Sequence, residues 1–288
     1  MKTIINAKTS ICALFGDPVA HSLSPAMHNA AFQTLEYNSV YVACRVPAVQ
    51  IPAAVMAIRA LGIKGVNVTI PHKQAVAAGL DEVCGDARLS GSVNTIINRD
   101  GRLVGMSTDG IGFVRSLQEE GAFAPAGKRV LLLGAGGAAL AVIYRLLATG
   151  ITALTLVNRD HAKALCLRDK ILGDTGFAPT VAPLEQLSHL NPHHFDLLVN
   201  TTSVGLHEDV SLLESHWLHP QLFVYDLVYK PGGTKLVRQA ARAGCRYLSG
   251  LSLLLYQGAE SFRLWFEVDP PLAAMRAALE TACRERLG

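Results

Sequence analysis

The sequence predicts an α/β protein with two domains, each built on a mostly parallel β-sheet. Three observations predict this class. The chain has 288 residues, close to the length of two domains of about 150 residues each. Half of its residues are hydrophobic and only 17% are charged, which favours a large core and excludes intrinsic disorder. Short apolar segments, typical of strands covered on both faces, alternate with segments of helical period.

The first third of the chain is predicted to form a βαβαβα series followed by an antiparallel hairpin at the sheet edge. Asp100-Gly101 supplies the backbone conformation that a tight hairpin turn requires. The strands are expected over residues 11–16, 40–46, 66–70, 93–98 and 102–106, and the helices over 24–35, 52–61 and about 73–80.

A helix over 110–120 then leads into a loop over 122–127, where Pro125 and Gly127 favour a domain boundary. A second α/β series follows, and two helices close the chain. The strands are expected over 130–133, 154–157, 197–200, 223–227 and 246–248, and the helices over 138–149, 162–172, 235–243, 251–266 and 271–287.

Composition excludes several classes of function. A net charge of +3, without a dense block of Lys and Arg, argues against a nucleic-acid partner. The longest apolar stretch, 130–144, is too short to span a membrane, and Lys8 interrupts any signal-peptide core. Six scattered cysteines without a CxxC pair predict reduced thiols in a cytoplasmic protein. The histidines lack the spacing of metal ligands, so we expect no metal site.

A glycine-rich turn joins a predicted strand to a predicted helix in the second domain. Gly134, Gly136 and Ala139 fit the pattern G-x-G-x-x-[G/A], in which the glycines permit a tight turn and close approach of a pyrophosphate. Free N–H groups at the helix start would then face the phosphate charge. The turn predicts a Rossmann-type dinucleotide-binding domain.

The next strand ends in Asn158-Arg159-Asp160, at the position that selects between the two nicotinamide dinucleotides. Asn158 carries no charge to repel a 2′-phosphate, and Arg159 can bind one with two hydrogen bonds. NADP is therefore favoured. Asp160 leaves NAD open as an alternative, because a carboxylate there can accept from a ribose 2′-hydroxyl.

Polar side chains cluster where the strands of the first domain end, the edge at which open α/β sheets bind ligands. Ser24 before Pro25 is a good helix N-cap, and together with Ser22 it could hold a carboxylate at the helix start. Lys73 and Asp109 add one cation and one carboxylate. Taken singly, these two are typical of a surface cation and a helix cap; together they suit the oxidation or reduction of a small hydroxylated acid.

A series of motifs occurs in order along the chain: SLSP (22–25), NVTIPHK (67–73), SVNTI (92–96), STDG (107–110), GAGGAA (134–139), NR (158–159), NTTSVG (200–205), YDLVY (225–229) and GLSLLLYQGAESF (250–262). With these motifs the chain resembles the shikimate dehydrogenase family over essentially its full length. The resemblance implies NADP-linked reduction of 3-dehydroshikimate to shikimate, and the reverse. The implied ligand is thus a small hydroxylated cyclic carboxylate, and the protein is expected to be a monomer or a homodimer.

The resemblance also implies roles for individual residues. Lys73 and Asp109 would form the catalytic pair. Ser22 and Ser24, with Tyr229 nearby, would bind the substrate carboxylate. The implied ligands of the ring hydroxyls are Thr69, Asn94 and Gln257. The expected cofactor-binding residues are Gly134, Ala135, Gly136, Gly137, Ala138, Asn158, Arg159, Asp160, Thr202 and Gly250.

In this family the closing helices return to the first domain. We therefore expect a substrate-binding and catalytic domain over 1–112 with 252–288, and an NAD(P)-binding domain over 113–251. The two lobes are expected to bring Lys73 and Asp109 to the nicotinamide.

Three features depart from the family pattern: Ser107 in place of Asn, the sequence Gly250-Leu251-Ser252-Leu253, and Asp160. They keep open a quinate/shikimate dehydrogenase that uses NAD as well as NADP, since a pocket not built against one extra hydroxyl rejects it only weakly. A non-catalytic regulator that binds a dinucleotide or a metabolite is the alternative from another class.

Overall fold

Residues 5–285 are described by the computed structural model, and the chain divides into two α/β units. The first unit contains the residues up to Gly112 and those from Leu254 onward, and the second unit is Phe113–Leu253. The second boundary thus lies two residues later than the sequence suggests. The helix expected over 271–287 is described as far as Glu285, and its last two residues lie outside the described part.

The first unit contains a six-stranded mixed sheet with the strand order β2-β1-β3-β5-β6-β4. β1 pairs in parallel with β2 and β3, β5 runs antiparallel to β3 and β6, and β4 is parallel to β6. The strands are β1 Ser10–Gly16, β2 Ser39–Arg45, β3 Gly65–Val68, β4 Glu82–Val83, β5 Thr95–Arg99 and β6 Arg102–Met106.

Two predictions for this unit are wrong. The β5–β6 hairpin is not the sheet edge, because β4 pairs outside it; two residues are too few to produce a periodic pattern. The helix expected over 73–80 is a short 3₁₀ helix, Ala75–Gly79.

The α-helices of both units are α1 Ser24–Thr34, α2 Ile51–Ala60, α3 Asp86–Ser90, α4 Asp109–Arg115, α5 Gly137–Ala148, α6 His161–Thr175, α7 Lys235–Arg242, α8 Gly250–Phe266 and α9 Leu272–Glu285. Within residues 5–285, no helix is long and apolar enough to cross a membrane.

The second unit contains a six-stranded, fully parallel sheet with the order β12-β11-β10-β7-β8-β9. Numbered within the unit and read from β9 to β12, this order is 3-2-1-4-5-6, which defines the Rossmann fold and confirms the predicted class. Strand β9, which the sequence analysis missed, has only four residues, too few to produce a periodic pattern. The strands are β7 Arg129–Leu133, β8 Ala153–Asn158, β9 Thr180–Pro183, β10 Leu197–Asn200, β11 Phe223–Asp226 and β12 Tyr247–Ser249.

Strand β7 shows why the central strands of this sheet are apolar throughout. Val130 and Leu132 enter one buried cluster, whereas Leu131 and Leu133 enter a second cluster. Successive side chains of a strand point to opposite faces, so a sheet covered on both faces requires apolar residues at every position.

An aromatic cluster in the first unit surrounds a buried histidine on α1. The His28 ring stacks on Tyr41 with 4.3 Å between centroids and lies 5.4 Å from Trp265. Neither ring nitrogen has a hydrogen-bond partner among the described residues, and burial lowers the pKa of His28 to about 3. The ring is therefore neutral throughout the range in which an unfolded histidine titrates.

We expect His28 to make the protein less stable in mild acid. Unfolded His28 binds a proton near pH 6.5, whereas folded His28 does so only near pH 3, so the free energy of unfolding falls as the pH drops between these values. This contribution is about 2 kcal/mol between pH 7 and pH 5. His28→Met removes it, and urea unfolding of both proteins at the two pH values measures the difference. An equal loss of stability in the variant and the wild type would contradict this account.

Candidate active site

Lys73 and Asp109 form an ion pair in the first unit. The distance from Lys73 Nζ to Asp109 Oδ2 is 2.5 Å, and the two side chains are 26% and 10% exposed. Lys73 follows β3, while Asp109 is the first residue of α4. The fold thus brings together two residues that the sequence analysis expected at the same edge of the sheet.

Asn94 holds the second oxygen of the same carboxylate. Its Nδ2 donates to Asp109 Oδ1 at 2.8 Å and to Gln257 Oε1 on α8 at 3.3 Å. Asn94 is 2% exposed. Lys73 and Asn94 therefore take one carboxylate oxygen each, which fixes the plane of the Asp109 carboxylate.

Gly112 permits the close approach of α4 to α8 beside Gln257. A Cβ atom at position 112 would lie 2.5 Å from the backbone nitrogen of Gln257. Since real Cβ atoms do not approach a backbone so closely, any larger residue would displace Gln257 from the Asn94 amide.

The serine pair lies at the start of α1, but in a different arrangement from the predicted one. The helix begins at Ser24 itself, so Ser24 is not its N-cap. The hydroxyl of Ser22 instead accepts from the Ser24 N–H at 3.2 Å. Ser24 is buried, and its side chain is a hydrogen-bond neighbour of the Tyr41 hydroxyl. The predicted helix start at residue 24 is confirmed, but Pro25 occupies the second helical position instead of the first, and the N-cap is Leu23.

Two further expected substrate residues, Thr69 and Tyr229, and the departure at Ser107 have different surroundings. Thr69 follows β3, is half-buried, and donates its N–H to the carbonyl of Phe15 at 2.9 Å. Ser107, which stands where the family has Asn, is buried, and its hydroxyl has no hydrogen-bond partner in the described part of the chain. Tyr229 is half-buried and belongs to the second unit.

The glycine-rich turn of the second unit has the conformation that its pattern predicts. Gly134 has φ +109°, and a Cβ atom there would lie 2.5 Å from Thr201 Oγ1. Positions 136 and 137 have open space where a Cβ atom would stand, whereas Ala139 is fully buried in the core. Ala135 is buried and Ala138 is exposed. The first turn of α5 thus offers unpaired N–H groups in open space, which fits a phosphate.

The three residues after β8 have distinct surroundings. Asn158 Nδ2 donates to the carbonyl of Asp160 at 2.8 Å. The Asp160 carboxylate caps α6 by accepting from the Lys163 N–H at 3.0 Å. Arg159 is exposed and makes no hydrogen bond or ion pair with any residue in the range 5–285. Its guanidinium donors are therefore available to an anion, while Asp160 already has a structural role.

Thr202 is held by a buried carboxylate through Asn200. The N–H and the hydroxyl of Thr202 both donate to Asn200 Oδ1, at 3.1 and 2.7 Å. Asn200 Nδ2 donates in turn to Asp226 Oδ1 at 2.8 Å, and Thr234 Oγ1 donates to Asp226 Oδ2 at 2.5 Å. Burial raises the pKa of Asp226, and these donors oppose that effect. Asp226 thus organises the loops that follow β10 and β11, a role that the sequence analysis missed.

Gly250, the first residue of α8, is required by the backbone that passes beside it. A Cβ atom at this position would lie 2.0 Å from the carbonyl oxygen of Leu227. A glycine is the only residue that permits this contact.

The second unit has a Rossmann-type sheet and an open glycine-rich turn that fits a phosphate. The first unit has a lysine–carboxylate pair among neutral hydrogen-bond donors. Together these features define an NAD(P)-dependent oxidoreductase that acts on a CH–OH group. Three family models match: the shikimate dehydrogenase substrate binding domain over residues 14–96, shikimate / quinate 5-dehydrogenase over 118–206, and the shikimate 5′-dehydrogenase C-terminal domain over 250–280. The chain belongs to the shikimate dehydrogenase family, which confirms the resemblance seen in its motifs.

Relatives and solved structures agree with this membership. The chain is 46% identical to "Shikimate dehydrogenase (NADP(+))" of Moorella thermoacetica, over 96% of this chain and 95% of that protein. It is also similar to shikimate 5-dehydrogenase from Thermus thermophilus in complex with NADP(H) and shikimate, with a TM-score of 0.85, 36% identity and coverage of 95% and 99% of the two chains. For shikimate 5-dehydrogenase from Listeria monocytogenes in complex with shikimate and NAD, the TM-score is 0.90, the identity 34% and the coverage 97% and 99%.

Proposed function

We propose that the protein is an NADP-dependent shikimate dehydrogenase, which interconverts 3-dehydroshikimate and shikimate. The observation that carries this proposal is the Lys73–Asp109 pair with the Asn94 amide on its second oxygen, in a unit that matches the substrate-binding domain of the family. The names of the Moorella and Thermus relatives support both the substrate and the cofactor.

Lys73 is the acid and base of the proposed reaction. When bound, NADPH supplies the hydride that converts the ketone carbon into a secondary alcohol. The carbonyl oxygen then gains negative charge, and the Lys73 ammonium donates a proton to it. Asp109 accepts a hydrogen bond from a substrate hydroxyl while its Oδ2 orients the Lys73 amine.

Substrate recognition is proposed to depend on the polar residues that the family resemblance implies. Ser22 and Ser24 lie at the start of α1, where hydroxyls and the helix dipole favour a carboxylate. Tyr229 is proposed to assist them. Thr69, Asn94 and Gln257 are the proposed ligands of the ring hydroxyls.

The cofactor residues follow from the second unit. The open start of α5, at Gly136, Gly137 and Ala138, is proposed to bind the pyrophosphate. Arg159 is proposed to bind the 2′-phosphate of NADP. The remaining proposed cofactor residues are Gly134, Ala135, Asn158, Asp160, Thr202 and Gly250.

The test is the change in absorbance at 340 nm with shikimate or quinate, each combined with NADP+ or NAD+. Reduction of NADP+ by shikimate is expected to have the highest kcat/KM of the four combinations. Preference for quinate would assign the protein to quinate/shikimate dehydrogenases of broader cofactor use, and no change in any combination would favour a binding protein without catalysis.

Lys73→Ala is expected to lower kcat by about 10²–10⁴-fold, since the variant lacks the proton donor. Binding of NADP+, measured by calorimetric titration, is expected to stay at the wild-type level. Lys8→Ala, at an exposed lysine of the same unit, is the matched control and is expected to keep full activity. A kcat near that of the wild type in Lys73→Ala would refute the assignment.

Arg159→Ala is expected to raise the KM for NADP+ by about 10–100-fold, because hydrogen bonds from a charged donor to the 2′-phosphate are lost. The KM for NAD+ is expected to change little, since NAD+ lacks that phosphate. Arg242→Ala is the control, because Arg242 is also exposed. An unchanged ratio of the two KM values would remove Arg159 from the proposed site.

A further inference from the structure

A cluster of three buried hydroxyls lies against the Asn94 amide. Thr95, Thr108 and Ser261 are fully buried. Thr95 Oγ1 donates to Asn94 Oδ1 at 2.9 Å and lies 2.8 Å from Ser261 Oγ. Ser261 is on α8, one turn after Gln257, and its hydroxyl donates to the Gln257 carbonyl at 3.0 Å. None of these hydroxyls is expected to touch the substrate or the cofactor.

These contacts determine which way the Asn94 amide faces. Its oxygen accepts from the Thr108 N–H at 2.8 Å and from the Thr95 hydroxyl at 2.9 Å. The nitrogen must therefore face Asp109 Oδ1. A flipped amide would oppose its oxygen to the carboxylate and its NH₂ group to the Thr108 N–H, and both contacts would be repulsive.

The hydrogen bonds run in one direction toward the carboxylate. The amide nitrogen of Asn67 can only donate, and it donates to Ser261 Oγ at 2.9 Å. The same nitrogen donates directly to Thr95 Oγ1 at 3.2 Å, and Thr95 donates to Asn94 Oδ1, whereas the Ser261 hydroxyl donates to the carbonyl of Gln257. Tyr41 donates to Asn67 Oδ1 at 2.9 Å, which fixes the orientation of the Asn67 amide. Aligned hydrogen bonds in a buried site strengthen one another, so the whole series favours a single orientation of Asn94.

We propose that Thr95 and Ser261 are positioning residues for the reaction, acting through the Asn94 amide on Asp109. The inference rests on the proposed function, because it assigns these hydroxyls a task in the site of that reaction. If the wild-type protein oxidises shikimate, the function stands, and the inference is then tested separately by the variants.

Thr95→Val keeps the shape of the side chain and removes its hydroxyl. We expect kcat for shikimate oxidation to fall about tenfold, because Asn94 Oδ1 loses one of its donors. The KM for NADP+ is expected to stay at the wild-type value. Thr95→Ser, which restores the hydroxyl, is expected to recover most of the lost kcat, a rescue that a purely structural role of the side-chain volume does not predict.

Ser261→Ala provides a second variant at the other end of the pair. We expect kcat to fall by about three- to tenfold. Ser90→Ala is the matched control, because Ser90 is buried in the same unit and its hydroxyl bonds to local backbone. We expect this variant to lose as much thermal stability as Ser261→Ala but to keep the wild-type kcat.

The double variant Thr95→Val/Ser261→Ala decides whether the two hydroxyls act through the same amide. Ser261 Oγ lies 2.8 Å from Thr95 Oγ1 and 3.3 Å from Thr108 Oγ1, and both of these residues bond to the Asn94 amide. A shared route through Asn94 predicts a loss of kcat smaller than the product of the two single losses, and losses that multiply would overturn the proposal. So would a wild-type kcat in both single variants, or a rise in the KM for NADP+ that matches the loss of kcat.

Discussion

The ion pair between Lys73 and Asp109 is the interaction on which the proposed site depends. Both groups are largely removed from water, and a buried pair is favourable only if its remaining hydrogen-bonding capacity is satisfied. Asn94 meets this requirement by donating to the oxygen that Lys73 leaves free. Lys73, Asp109 and Asn94 therefore form a triad, in which Lys73 balances the charge of the carboxylate and Asn94 fixes its orientation. The buried hydroxyls of Thr95, Thr108 and Ser261 hold the Asn94 amide and connect the triad to the core.

The first unit contains two kinds of buried polar group with opposite consequences. The Asn94–Asn67 network is satisfied by donors and acceptors from β3, β5 and α8, so it specifies one arrangement of the site. His28, by contrast, is surrounded by aromatic rings, and its ring nitrogens have no hydrogen-bond partner among residues 5–285. Burial of this neutral ring therefore lowers the stability of the protein in acid. The two examples show that burial of polar groups stabilises a site only where hydrogen bonds compensate for lost water.

The second unit uses a different device. Its glycine-rich turn depends on backbone shape, since Gly134 has a positive φ and its close contact with Thr201 leaves no room for a side chain. Gly250, at the start of α8, is likewise confined by the carbonyl of Leu227. Asp226 then holds the loops after β10 and β11 through Asn200 and Thr234. Arg159 is exposed and makes no hydrogen bond or ion pair within residues 5–285, so its guanidinium donors are available for the proposed binding of a phosphorylated ribose.

The sequence by itself determined the two α/β units, the Rossmann class and the glycine-rich turn, because these features depend on the local periodicity of hydrophobic residues and on glycines a few residues apart. It missed β4 and β9, whose few residues produce no periodic pattern, and it assigned the N-cap of α1 to Ser24 instead of Leu23. Only the tertiary structure decided that Asp160 caps α6, and that Thr95 lies beside Ser261, a residue more than 160 positions away. Such contacts depend on how distant strands and helices pack, and no local pattern encodes that packing.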